Sequence, residues 1–155
     1  MVAPDILLTV QNIYNKTAMG TVQPLAFVPS YYEGEIKYPP AMAVEYYFDK
    51  EVPWGSGKVS YEDAAFNYLL IKLDRRVGDE VGYWTSLAYN EEWNGLPAWH
   101  HIGYTSELTE GQVNPVTSDQ NTIESVDRYT YNGIEALLMK TDVDTGPGQI
   151  GGKCL

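Results

Sequence analysis

In this 155-residue sequence, the side chains other than carboxylates that could act as a base or a metal ligand near neutral pH are two histidines and one cysteine. His100 and His101 are adjacent, so on a strand they would point to opposite faces and could not serve one site together. Cys154 has no second cysteine or histidine near it, which argues against a zinc site and excludes an internal disulfide. We therefore expect structural or surface roles for both histidines, and no metal or other cofactor.

Carboxylates are plentiful, but their spacing does not suggest a catalytic pair. The sequence holds 21 aspartates and glutamates, some of them adjacent, as in Glu62-Asp63 and Glu91-Glu92. Asp142 and Asp144 stand two positions apart and lack the remaining ligands of a calcium loop. The acidic residues therefore predict neither a metal site nor the carboxylate pair of a glycosidase.

The closing segment, residues 144–152, reads Asp-Thr-Gly-Pro-Gly-Gln-Ile-Gly-Gly. It resembles the nucleophile loop of trypsin-like serine proteases, Asp-Thr-x-x-Gly-x-Ser-Gly-Gly, whose glycines let two backbone N–H groups point at the developing oxyanion. The resemblance implies that Gly148 and Ile150 hold the positions of those two donors, and that Asp144 and Thr145 lie at the substrate pocket. A solvated loop aspartate is the ordinary alternative for Asp144. Ile150 stands at the nucleophile position, where a hydrocarbon side chain cannot attack a carbonyl.

Two upstream segments resemble the segments that present the other triad residues. Residues 66–78 are similar to Asp-Tyr-Ala-Leu-Leu-Lys-Leu-Asp-Arg-Pro-Val-Gly, with Asn67 in place of the triad aspartate. Residues 7–13 are similar to Val-Leu-Thr-Ala-Ala-His-Cys, with Asn12 in place of the triad histidine. An amide at position 12 cannot accept a proton near neutral pH, and an amide at position 67 cannot stabilise an imidazolium. The resemblance therefore implies a degenerate triad of Asn12, Asn67 and Ile150, and we expect these residues to lie together.

Further similarities point to the glutamyl-endopeptidase branch of this family. Residues 27–34 are similar to its Phe-Val-Pro-x-Tyr loop, and residues 102–104 to its Ile-Gly-Tyr-Pro strand. Members of the family carry additional strands before the histidine turn, and strands and a helix after the nucleophile loop. The resemblance thus implies a chain truncated at both ends, whose barrels are incomplete or are completed by a partner chain. Lys153, in place of the family's proline, suggests that the loop has changed shape.

Short apolar runs rich in β-branched and aromatic residues, separated by Gly, Pro, Asn and Asp, predict an all-β protein. We also expect one helical turn at Tyr61 to Ala65. The polar, glycine-containing stretch from Gly78 to Gly95 predicts the join between two lobes, residues 1–80 and 95–155. The resemblance implies that each lobe is an incomplete six-stranded antiparallel barrel. The predicted strands lie near residues 6–10, 22–28, 41–48, 67–73, 98–104, 122–129 and 134–141.

The formal net charge of −11 would repel phosphate backbones and anionic lipid headgroups. We therefore expect neither nucleic acid nor membrane as a partner. Met1 to Asp5 lacks a basic n-region, and Ile6 to Val10 is too short for a signal-peptide core or a membrane span. Either a leader was removed or the protein is not secreted, and an extracellular location is suggested by the family resemblance alone.

Three functional interpretations follow from these residues. The first is an inactive protease homologue, or pseudoprotease, that binds a peptide or protein partner. The second is a working serine endopeptidase whose triad lies elsewhere, which would require His100 or His101 to meet a serine and an acid. The third is a truncated remnant without a stable function.

Overall fold

The computed structural model describes residues 1–14, 24–53, 59–104 and 114–142, and the backbone of residues 153–154. Strands dominate these ranges, and the helices are short. The helices are α1 (Tyr61–Ala65) and α2 (Gly78–Val81), with 3₁₀ turns at Gln11–Ile13 and Glu91–Trp93. The strands are β1 (Ile6–Thr9), β2 (Ala26–Phe27), β3 (Tyr31–Tyr32), β4 (Glu35–Ile36), β5 (Ala41–Tyr47), β6 (Leu69–Leu73), β7 (Trp99–Tyr104), β8 (Pro115–Asn121), β9 (Ile123–Tyr131), β10 (Ile134–Thr141) and β11 (Lys153–Cys154).

The predicted all-β class is confirmed, and β1, β5, β6, β7, β9, β10 and α1 lie where the sequence predicts them. β2 is shorter than predicted, and residues 22–23 of that segment lie outside the described residues. Sequence reasoning missed β8 because this strand begins at Pro115 and carries mostly polar residues. Within the described ranges β8 pairs only with β7, and such an edge position tolerates a proline. The short β3–β4 hairpin and α2 were also missed.

The first sheet of the described residues has the strand order β1-β6-β5-β2, with every neighbouring pair antiparallel. Leu69, Ile71 and Leu73 of β6 are buried, whereas the residues between them are only partly buried. This period of two puts one face of β6 into the core, where Ala41 and Val77 complete a buried cluster. Burying a side chain such as Leu69 contributes roughly 1.5–3 kcal/mol, so β6 is the main source of stability in this sheet.

A second sheet contains β11, β7 and β8, and β9 pairs with β10 as a long hairpin. The hairpin turn is Asn132-Gly133, both with positive φ, 49° and 81°, as a two-residue type I′ turn requires. The hairpin packs against α1 through a cluster that includes Phe66 and Ala136. The rings of Phe66 and Tyr131 meet with their centroids 5.8 Å apart. Thus α1 packs against the hairpin.

Lys50 joins α1 to the hairpin electrostatically. Its Nζ lies 2.8 Å from a Glu62 carboxylate oxygen and 2.7 Å from one of Asp63. The same ammonium group lies 5.3 Å from the ring centroid of Tyr131. Hydrogen bonding to Lys50 lowers the pKa of Asp63, and hydrogen bonding to Asp63 and Glu62 raises the pKa of Lys50.

None of the helices in the described part of the chain has the length and apolar character needed to cross a membrane.

Gly78 is required by a close approach of two backbone segments. Its N–H donates to the carbonyl oxygen of Pro4 at 2.7 Å. A Cβ atom added at Gly78 would lie 2.7 Å from the Cα of Pro4, which is closer than real Cβ contacts. The segment before β1 therefore packs directly on the start of α2.

We predict that Gly78→Ala destabilises the protein, although alanine is the better helix former. The gain in helix propensity is about 1 kcal/mol at most, whereas overpacking against a backbone atom costs about 1–3 kcal/mol. Urea unfolding should therefore show a lower midpoint for Gly78→Ala. Asp79→Ala, an exposed change in the same turn that removes a surface pair with Arg76, is the control and should move the midpoint less. A midpoint at or above that of the parent protein for Gly78→Ala would contradict the prediction.

Candidate functional site

Asn12 and Asn67 are positioned by the pairing of β1 with β6. Asn12 lies in the 3₁₀ turn that follows β1, and Asn67 lies just before β6. The two strands are antiparallel, and Thr9 pairs with Leu69, so the end of one strand meets the start of the other. The backbone N–H of Gln11 donates to Asn67 Oδ1 at 2.8 Å. The structure therefore places Asn67 against the turn that carries Asn12.

The side chain of Gln11 fixes this turn, and sequence reasoning missed it. Gln11 is 2% exposed. Its Nε2 donates to the carbonyl oxygens of Lys50 and Phe66, both at 2.8 Å, and to that of Tyr68 at 3.2 Å. Its Oε1 accepts from the N–H of Val52 at 3.1 Å. One amide thus bonds to backbone groups of two distant segments. No local sequence pattern around Gln11 predicts that its side chain joins these segments.

The Asn12 side chain carries a buried hydrogen-bond acceptor. Its Oδ1 is shielded from solvent and has no hydrogen-bond partner among the described residues. A buried amide oxygen left unpaired is disfavoured by about 1–3 kcal/mol. Because an amide is not a base at neutral pH, Asn12 Oδ1 can accept an N–H or O–H but cannot take up a proton. Asn12 therefore cannot supply the general base that a histidine would supply at this position.

An apolar groove of about 740 Å³ adjoins Asn67. Its lining includes Leu7 of β1, Ile71 of β6 and Asn67 with Tyr68 at the entry to β6. None of the described side chains that line it carries a charge. Burial, together with a hydrogen bond to Asp49, raises the pKa of Tyr68 to about 12, so this phenol stays protonated at physiological pH. The groove therefore offers an uncharged surface with a few neutral polar groups.

The two histidines lie on opposite faces of β7, as predicted from their adjacency. His101 is 5% exposed, and its Nδ1 has no hydrogen-bond partner among the described residues. The side chain of His100 is 54% exposed, and its Nδ1 lies 2.9 Å from Asp119 Oδ1. No hydrogen bond within the described residues joins either histidine to Asn12 or Asn67. The His100–Asp119 pair has the base-and-acid contact of a triad, but it lies in solvent.

The other predicted site residues, Asp144, Thr145, Gly148 and Ile150, lie outside the described residues. Their roles as pocket, oxyanion-hole and nucleophile positions stay predictions, and so does the meeting of Ile150 with Asn12 and Asn67. The division into lobes at residues 78–95 also stays a prediction. Within the described ranges, no three side chains of His, Cys, Asp or Glu are grouped as a metal site would need.

Solved structures of serine proteases share this architecture. A Glu endopeptidase in complex with MPD matches with a TM-score of 0.62 and 20% identity, over 99% of this chain and 76% of that one. The protease Anisep from Arthrobacter nicotinovorans matches with a TM-score of 0.53 and 16% identity, over 84% of this chain and 56% of that one. The thermostable serine protease AL20 from an extremophilic microorganism matches with a TM-score of 0.52 and 14% identity, over 94% of this chain and 70% of that one.

These matches establish the class of the fold. No protein-family model and no curated protein matches the sequence. The chain has the trypsin-like fold of serine proteases, built here from curled antiparallel sheets. At these levels of identity the similarity concerns the fold, and the chemistry must be argued from the residues of this chain.

We predict that Asn67→Leu lowers the free energy of unfolding by about 1–3 kcal/mol, because it leaves the N–H of Gln11 without its acceptor. Asn67→Asp is the matched control, since a carboxylate oxygen accepts the same hydrogen bond. Urea unfolding at pH 7 should therefore place Asn67→Asp near the parent protein and Asn67→Leu well below it. Equal stabilities for Asn67→Leu and the parent would show that the Gln11–Asn67 bond contributes nothing.

Proposed function

We propose that this protein is a catalytically inactive serine-protease homologue that binds a peptide or protein segment without cleaving it. The observation that carries the proposal is the Gln11–Asn67 hydrogen bond of 2.8 Å. It holds Asn67 against the turn of Asn12, so the two positions that resemble the triad aspartate and histidine are neighbours and both carry amides. An amide pair supplies neither a general base nor a carboxylate to orient one.

The chemistry of the site favours binding. Asn67 and Tyr68 line an apolar groove, which supplies area for a hydrophobic contact. Asn12, one residue beyond Gln11 in the turn that Asn67 contacts, carries an amide that cannot act as a base. An apolar surface with neutral polar groups beside it can hold a peptide without any reaction step.

A working protease is the second candidate, and one observation favours it. His100 Nδ1 lies 2.9 Å from Asp119 Oδ1, which is the contact that orients a catalytic histidine. Against it, both side chains are more than half exposed, at 54% and 65%, and no serine within the described residues is hydrogen-bonded to His100. Solvent around the pair would weaken the electrostatic stabilisation of the protonated histidine that forms during catalysis by a triad.

We predict that a fluorophosphonate probe does not label the protein, because such probes react with an activated serine. The parent protein and His100→Ala should both remain unlabelled when intact mass is measured after prolonged incubation. His101→Ala serves as the companion control on the same strand. Stoichiometric labelling of the parent that disappears in His100→Ala would overturn the proposal and identify His100–Asp119 as a working pair.

We predict that Asn12→His, Asn67→Asp and Ile150→Ser combined give weak turnover of peptide substrates or none. Catalytic groups must be held within about 0.5 Å of the productive geometry by their surroundings. Here the residue at position 67 already accepts the N–H of Gln11, and an imidazole at position 12 would have to fit where the shielded amide oxygen of Asn12 lies. The matched control carries Ile150→Ala with the other two changes. A kcat on the order of 10 per second, typical of efficient enzymes, would contradict the prediction.

A further inference from the structure

We propose that Cys154 is a site of reversible covalent modification by small disulfides, and that His101 is the base that activates its thiol. The site lies in the sheet of β11, β7 and β8. None of the described residues of these three strands lines the apolar groove. The modification site therefore goes beyond the proposed binding function and does not depend on it.

The register of β11 on β7 places the single cysteine of the chain opposite a buried histidine. The two strands are antiparallel, and Cys154 pairs with His101. Directly opposite residues of an antiparallel pair share one face of the sheet, with Cβ atoms about 4.5–5.5 Å apart. A thiol and an imidazole at two such positions are within reach of each other. The strand pairing thus brings together two reactive residue types that lie far apart in the sequence.

The ring of His101 is enclosed and lacks a partner. The residue is 5% exposed, and its Nδ1 makes no hydrogen bond to any described residue. A buried polar atom that is left unpaired is unfavourable. A thiol is a hydrogen-bond donor, and one nitrogen of a neutral imidazole is an acceptor. The S–H group of Cys154 is therefore the partner that suits this nitrogen.

The residue on the other side of His101 does not supply that partner. β8 places Ser118 in register with His101, but Ser118 Oγ donates to Asn121 Oδ1 at 2.8 Å. Asn121 is 6% exposed, and its Nδ2 donates to the carbonyl oxygens of Trp99 and Ser118 at 3.1 and 2.8 Å. The proton of Ser118 is therefore already engaged. The same hydrogen bond argues against an activated serine beside this histidine.

The charged groups of the neighbouring strands do not face His101. On β8, Asp119 Oδ1 lies 2.9 Å from Nδ1 of His100, on the opposite face of β7. On β11, Lys153 stands in register with Ile102, one residue beyond His101. Residues that are adjacent on a strand alternate between its two faces. Neither charge therefore competes with the thiol for the imidazole.

The 3₁₀ turn at Glu91–Trp93 packs on this sheet, since the rings of Trp93 and Trp99 meet with their centroids 5.7 Å apart. Its two carboxylates are exposed, and each accepts a hydrogen bond from a nearby side chain. The pairs are Arg128 with Glu91 and Asn90 with Glu92. The charges of this turn are thus engaged away from the histidine.

Proton transfer from the thiol to Nδ1 of His101 gives a thiolate beside an imidazolium, and the thiolate is the reactive form. Its sulfur attacks one sulfur of a small disulfide such as oxidised glutathione, and the S–S bond of that disulfide breaks. A mixed disulfide with Cys154 forms, and the departing thiolate takes the proton from the imidazolium. The cysteine sulfur is oxidised and the departing sulfur is reduced. A free thiol reverses the reaction by the same exchange.

Alkylation by iodoacetamide tests the pairing, because the chain has a single cysteine and every thiol adduct reports on Cys154. The alkylation rate of the complete chain should reach half of its maximum about one pH unit below the value of roughly 8.5 for an ordinary thiol. His101→Gln should return this midpoint to the ordinary value or above it, because an amide cannot take up the proton. His100→Gln, on the opposite face of the same strand, is the matched control and should keep the parent's midpoint.

Oxidised glutathione tests the modification itself. At pH 7 the parent chain should gain one mixed disulfide by intact mass, and a reducing thiol should remove it. His101→Gln should form the adduct about threefold more slowly, because a roughly tenfold loss of thiolate is partly offset by the greater intrinsic nucleophilicity of the remaining thiolate. His100→Gln should react at the parent's rate.

Nuclear magnetic resonance tests the pair without changing the histidine. A neighbouring thiolate stabilises the protonated ring, so the ring of His101 should lose its proton at a lower pH in Cys154→Ser than in the parent. The ring of His100 is the internal control and should titrate alike in both proteins. This comparison decides the question if circular dichroism shows that His101→Gln does not fold.

Three outcomes would overturn the inference. A parent midpoint at or above that of the urea-unfolded chain would show that the fold does not activate the thiol. Equal effects of His101→Gln and His100→Gln, or a His101 titration that Cys154→Ser leaves unchanged, would remove the role of His101. Reaction of the thiol in urea alone would show that it is enclosed and inert. None of these results bears on fluorophosphonate labelling, which tests the proposed function separately.

Discussion

The buried amide of Gln11 is the interaction on which the rest of the described site depends. Three carbonyl groups and one N–H group, from Lys50, Phe66, Tyr68 and Val52, meet at this side chain. Polar groups taken out of water must find partners, and leaving one unpaired costs about 1–3 kcal/mol. The amide nitrogen of Gln11 has two N–H groups, so two of the three carbonyls share one of them. The glutamine thus fixes the turn after β1 against the approach to β6.

The position of the two asparagines follows from this constraint. Because the turn is fixed, the N–H of Gln11 points at Asn67, and Asn12 stands one residue further along the same turn. The turn after β1 is therefore tied to the approach to β6, and the side chains at positions 12 and 67 are both amides. Neither amide can take up a proton near neutral pH.

The sequence by itself determined the all-β class, most of the strands and the residue types at positions 12 and 67. Strand β6 was predictable because a strand with one buried face carries apolar residues at every second position, as at Leu69, Ile71 and Leu73. Strand β8 was not, because it begins at a proline and its residues from Thr117 to Asn121 are all polar. Burial of Gln11 could not be predicted, since glutamine is usually exposed and its partners lie 39 to 57 residues away in sequence. Only the tertiary structure decided that Asn67 meets the turn of Asn12, because a buried amide is placed by the distant backbone groups it must satisfy.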